Sequence, residues 1–140
     1  MSLRSEVEEW CQSYVSAFAD YDAAGISAHW TYPALTTQAG RSFVFRSREH
    51  FTKNTVRLLA FYRGQSVVQV ARTVIDVQSM HTDAVSMTVL DRMYTDSGEE
   101  IVRWQAAYVL QRVDGEWKAV MAVADGETEA WMARGTPLGG

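Results

Sequence analysis

A chain of 140 residues with 47% apolar and 21% charged side chains has the size and composition of one globular domain, which excludes disordered and fibrous classes. Thirteen basic and seventeen acidic residues give a net charge of -4, a poor match for a nucleic-acid partner. No run approaches the ~18 apolar residues of a membrane span, so no membrane partner is expected.

Met1 to Glu9 hold three glutamates and no apolar stretch, so no secretory leader is expected there. Cys11 is the single cysteine, which rules out a disulfide within the chain and a cysteine-rich metal site; a reducing cytoplasm is the expected compartment.

Ser5 and Glu8 have the spacing of a capping box, and Val7, Trp10, Cys11, Tyr14, Val15 and Phe18 recur at helical intervals, predicting a helix over 5–20. A short helix or turn is expected over Asp22 to Trp30, ended by Pro33. Two short strands follow, 34–39 and 42–45, around a turn at Gly40 and Arg41. Ser47 is placed to cap a helix reaching Tyr62, whose apolar stripe is Phe51, Thr55, Leu58, Leu59 and Tyr62. Gly64 is the expected left-handed cap.

Beyond Gly64 the pattern alternates, and four long strands are predicted at 66–80, 84–94, 100–112 and 117–124. Asp114-Gly115 is a strong hairpin signal, because a tight primed turn needs positive φ at its centre. A final helix is expected around Glu127 to Ala133, with a loose tail over 135–140. Residues 1–140 read as one domain. Helices followed by a meander give an α+β class, with helices on one face of a curved sheet and a cavity at its open end.

A loop at Asp96-Ser97-Gly98-Glu99 sets Met93 against Val102, Asp91 against Trp104, Val89 against Ala106 and Met87 against Tyr108, all on one apolar face. The other face holds Leu90 with Gln105 and Thr88 with Ala107. It also sets Arg92 against Arg103, which needs an acid nearby to be tolerated. Asp91 is the one carboxylate on the apolar face. Burying it unpaired costs several kcal/mol or more, so it must find a partner, reach water in a cavity, or carry a proton. A structural ion pair and a catalytic acid are both open at this point.

The chain resembles the NTF2-like superfamily, also called SnoaL-like or ketosteroid-isomerase-like. The resemblance rests on element order and on two stretches: residues 12–18 with 22–26 and Trp30, and residues 108–118 with their closing hairpin. It implies a cone-shaped curved antiparallel or mixed sheet wrapped around the N-terminal helices, a cystatin-like α+β barrel. It also implies a deep pocket and often a homodimer through the outer sheet face. The isomerases of that superfamily use a first-helix tyrosine, a strand aspartate as base and a second, protonated aspartate. Their tyrosine falls on Tyr14. Their base falls near Thr37 and their second acid near Tyr108 or Val109, and neither position holds a carboxylate. An isomerase of that kind is therefore not expected.

The expected catalytic pair is Asp91 as general acid or base with Tyr14 as hydrogen-bond donor. The expected lining is His29, Trp30, Tyr32, Met87, Trp104 and Tyr108, suited to a small apolar ligand or substrate. Plain core packing is the bland alternative for each. The three histidines lack metal-ligand spacing and the glycines lack a phosphate-loop pattern, so neither metal nor cofactor is expected. Cys11, on the buried stripe, is not expected to act as a nucleophile. The functions in view are a cofactor-independent lyase, isomerase or cyclase; a hydrophobic-ligand carrier; and a dimerisation domain.

Overall fold

The structure, a computed structural model, describes residues 2–138. Helix α1 (Leu3–Ala19) turns Val7, Trp10, Cys11, Tyr14 and Ala17 inward, each large apolar group contributing about 1.5–3 kcal/mol by leaving water. Its N-cap is Ser2, whose Oγ accepts from the Ser5 N–H at 3.1 Å. The cap thus lies three residues ahead of the expected Ser5, which serves as the donor. Helix α2 (Ala23–Ser27) is capped by Asp22, whose Oδ1 takes the Gly25 N–H at 3.0 Å.

Strand β1 (Trp30–Gln38) begins before Pro33 rather than after it. The proline is tolerated because pairing with the last strand is interrupted between Trp30 and Leu35, where its missing N–H leaves no ladder bond unmade. The tight turn to β2 (Arg41–Phe45) is Ala39-Gly40, both at positive φ, one residue earlier than the sequence suggested. Ser47 caps α3 (Arg48–Gly64) as expected, accepting from His50 N–H at 3.1 Å. Gly64 is the last helical residue, and Ser66, at φ 60°, makes the left-handed turn expected of it.

Four long strands follow: β3 (Gln69–His81), β4 (Ala84–Tyr94), β5 (Glu100–Val113) and β6 (Glu116–Val123), then α4 (Asp125–Ala133). The sheet runs β2-β1-β6-β5-β4-β3, antiparallel except where β1 meets β6. The central register is the one the alternation requires: Met93 opposite Val102, Asp91 opposite Trp104, Val89 opposite Ala106 and Met87 opposite Tyr108. The Arg92–Arg103 juxtaposition is relieved sideways. Arg103 makes a forked bond to Glu100 at 2.8 and 2.9 Å, and Arg92 donates to the Thr73 hydroxyl at 2.8 Å.

Two irregularities position the interior. A bulge in β3 between Val74 and Asp76 leaves Val70, Arg72 and Val74 on the inner face before it and re-aims the strand after it. At the other side β6 ends at Val123, opposite Ala107, and α4 continues along the uncovered part of β5. Gly126 permits that approach: a Cβ there would stand 2.5 Å from the Gln105 carbonyl oxygen.

Candidate functional site

The concave face of the sheet, α1, α3 and α4 enclose a cavity of about 440 Å³. Trp30, Phe51, Tyr14, Tyr108 and Trp104 form much of its inner wall. Its ionisable lining besides tyrosine is His50, Arg57, Arg72, Asp91 and Glu127.

Asp91 is buried, as its face requires. Its partner is Arg72 on the adjacent strand: Nε donates to Oδ1 at 2.7 Å and Nη2 to Oδ2 at 2.8 Å, with the two side chains 5% and 6% exposed. Nη2 also donates to the Tyr108 hydroxyl at 3.0 Å, and the guanidinium lies 4.6 Å from the Tyr108 ring centre and 5.4 Å from that of Tyr14. Planar fork-to-fork pairing of this kind is the geometry that makes a buried ion pair tolerable. Arg72 Nη1 is buried without a partner. Each Asp91 oxygen accepts one bond from Arg72, so the aspartate balances the charge of that guanidinium while lining the cavity.

Tyr14 is buried against the cavity, and its hydroxyl accepts from Trp30 Nε1–H at 3.0 Å. Burial holds the Tyr14 phenol well above the usual tyrosine range, and does the same to a lesser degree for Tyr108. Both therefore keep their protons. Among the described residues neither hydroxyl has an acceptor for that proton, which leaves both able to donate to a ligand oxygen.

Glu127, which the sequence reading did not single out, is the second buried acid. The close passage of α4 over β5 brings it to the cavity. Tyr62 of α3 donates its hydroxyl to Oε2, and Trp131 Nε1, one turn along α4, donates to the same oxygen at 3.3 Å. No cation pairs with it among the described residues. Burial pushes its carboxyl up to about 7, against the partial opposition of those two hydrogen bonds. The available signal was the Glu127/Trp131 spacing on a short helix that follows the last strand directly.

Three expected lining residues lie elsewhere. His29 is at a separate outer cleft, with Nδ1 2.6 Å from the Gly25 carbonyl and Nε2 2.8 Å from Ser13 Oγ; its position at the end of α2 turns it outward. Tyr32 follows Trp30 at an interval of two, but the strand is interrupted at Pro33, and its hydroxyl reaches back to the Ser27 carbonyl at 2.9 Å. Met87 is covered by α1, its sulfur 3.5 Å from Cys11 Sγ. Trp30, Trp104 and Tyr108 do line the cavity. Cys11 is buried and its thiol is pushed up by that burial, and His50 is exposed at the cavity mouth.

A family model described as NTF2-like protein (DUF6841) matches residues 5–127. The chain belongs to this NTF2-like family. Solved structures agree on the fold. An NTF2-like protein of unknown function from Shewanella oneidensis MR-1 superposes with a TM-score of 0.70 at 7% identity, covering 87% of this chain and 98% of that one. A ketosteroid isomerase-like protein from Erwinia carotovora atroseptica SCRI1043 gives 0.65 at 15% identity, covering 85% and 92%. A domain of unknown function with a cystatin-like fold from Nostoc punctiforme PCC 73102 gives 0.69 at 12%, covering 88% and 77%. No curated protein matches the chain. At such identities the NTF2-like likeness carries the fold and leaves the chemistry to the residues. No helix among the described residues is long and apolar enough to cross a membrane.

Proposed function

We propose that the cavity binds a small, largely apolar, oxygenated molecule and that Glu127 moves a proton on it, as in a cofactor-independent isomerase or lyase. The observation that carries this reading is the placement of Glu127: a carboxyl in the cavity wall, without a cation, held at one oxygen by Tyr62 and Trp131. A group titrating at about 7 is divided between acid and base near neutral pH, the condition under which general acid–base help is most effective. Tyr14 and Tyr108 are suited to donate to the oxygen on which charge develops, and an apolar surrounding strengthens such bonds. The proton carrier is thus Glu127, with Asp91 holding Arg72 in place.

Exchange of the α-protons of an apolar cyclic ketone such as 2-tetralone, followed by NMR in deuterium oxide, tests the reading. The expectation is exchange above the buffer rate, rising with pH through an inflection near 7, and reduced about 10²–10⁴-fold in Glu127→Gln. Exchange that Glu127→Gln retains in full contradicts the assignment.

The same reading takes the protein as a homodimer through the outer sheet face. Thr88, Ala107 and Val123 stand opposite one another there, with Asp76 beyond Thr88 on the edge strand β3. Light scattering at micromolar concentration tests this, and a monomer contradicts it.

A further inference from the structure

The net charge of -4 conceals a strong asymmetry. Residues 41–64, which comprise β2 and α3, contain six cations (Arg41, Arg46, Arg48, Lys53, Arg57 and Arg63) and one acid, Glu49. The segment therefore stands at +5 and the rest of the chain at -9. This positive segment forms one side of the cavity mouth. Phe43 and Val44 of β2 line the cavity while still 42% and 53% exposed. On α3 the cavity-facing positions change character at the rim: Phe51, Thr55 and Tyr62 are buried below it, whereas His50, Asn54 and Arg57 line the same cavity and are exposed. These three sit at i, i+4 and i+7, one face of the helix.

Their neighbours do not neutralise them. Lys53 pairs with Glu49, Arg48 is spent on Ser27 Oγ and the Ala24 carbonyl, and Arg63 lies over the Tyr21 ring. Arg57 has no ion pair among the described residues. Across the mouth, β1 presents Thr36 and Gln38, which are uncharged. Deeper in, the Arg72 charge is already balanced by Asp91. Among the described residues, Arg57 is therefore the one permanent charge in the lining that lacks a counter-ion.

We infer that the natural ligand is an aromatic or alicyclic carboxylic acid, its ring among Trp30, Phe51 and Trp104 and its carboxylate at the rim on Arg57, with Asn54 as an additional donor. This rests on the reading of the cavity as a ligand site and sets the polarity of what enters it. A guanidinium fits a carboxylate in a planar fork. The positive segment around it raises the local concentration of anions at the entrance of an otherwise acidic molecule.

Quenching of tryptophan fluorescence gives the test, because Trp30 and Trp104 line the cavity. The probes are 2-naphthoate and its methyl ester, which share the ring and differ in the charge. The wild-type protein is expected to bind the acid up to about fivefold more tightly than the ester, in line with one partly exposed ion pair. The preference should shrink as sodium chloride is raised toward ~1 M, where screening acts within about 3 Å. Arg57→Gln, an exposed position that leaves folding intact, should bind acid and ester alike, with ester affinity unchanged. Equal binding of both probes by the wild type, or a preference that survives in Arg57→Gln, overturns the inference while leaving the cavity a ligand site. Binding of neither probe overturns both.

Discussion

Asp91 and Glu127 are the two buried carboxylates among the described residues, 4% and 6% exposed, and both border the same cavity. The sheet gives Asp91 a neighbouring strand, and with it Arg72, so its charge is met by a charge. Helix α4 gives Glu127 only a phenol and an indole, both neutral donors converging on one oxygen. Equal burial therefore leads to opposite outcomes. The first acid is neutralised by a cation, and on the reading proposed above the second is neutralised by a proton that it can exchange. Burial identifies a carboxylate that needs an explanation; the partner decides what the explanation is.

The comparison breaks most visibly at the ion pair. Asp91→Ala strands a buried guanidinium and should cost about 3–5 kcal/mol in urea unfolding, a large share of the stability of a domain this size. Replacing both members, Arg72→Met with Asp91→Leu, should recover most of that loss. A small effect of Asp91→Ala would mean that the pair is not sealed from water.

Glu127 sharpens it in the opposite sense. Its carboxyl lies higher in the folded chain, at about 7, than the ordinary 4.5. The folded state therefore holds a proton that the unfolded chain releases between those values. Its contribution is fully present below about pH 4.5 and is lost as pH rises to about 7, a decline of up to about 3 kcal/mol. In Glu127→Gln the slope of unfolding free energy against pH over that range should flatten. A wild-type slope unaltered in the variant would assign the titration to another group.

The third effect is smaller and concerns how Glu127 gets there. Gly126→Ala places a methyl 2.5 Å from the Gln105 carbonyl, a backbone atom that cannot swing aside. A loss of about 1–3 kcal/mol is expected by thermal unfolding, as for other overpacked contacts. Stability equal to wild type would show that α4 does not sit so close to β5.

Much of this was legible in the sequence. Strict alternation in β4 and β5 dictated their register, because a slip of one residue would have put the Arg92 face in the core. That alternation also marked Asp91 as the anomalous acid. Its partner was hidden, since Arg72 sits in a strand whose inward set is broken by the bulge after Val74, so no single period runs through β3. Glu127 was hidden for another reason. Its one local partner is Trp131, a turn along α4; the rest of its environment is made by Tyr62, 65 residues away, and by the tight approach at Gly126, neither of which leaves a local pattern. Tyr32 was misplaced because the interruption around Pro33 upsets the alternation counted from Trp30. The charge asymmetry of residues 41–64 stood in the sequence throughout, but it acquires meaning only once α3 is seen at the cavity mouth.

The proton on Glu127 can be followed directly by carbon-13 NMR of glutamate side-chain carboxyls, with the resonance assigned by its disappearance in Glu127→Gln. The account predicts that this carboxyl titrates with a midpoint near 7. A midpoint at the ordinary 4.5 would leave the cavity without its proton carrier and contradict the account.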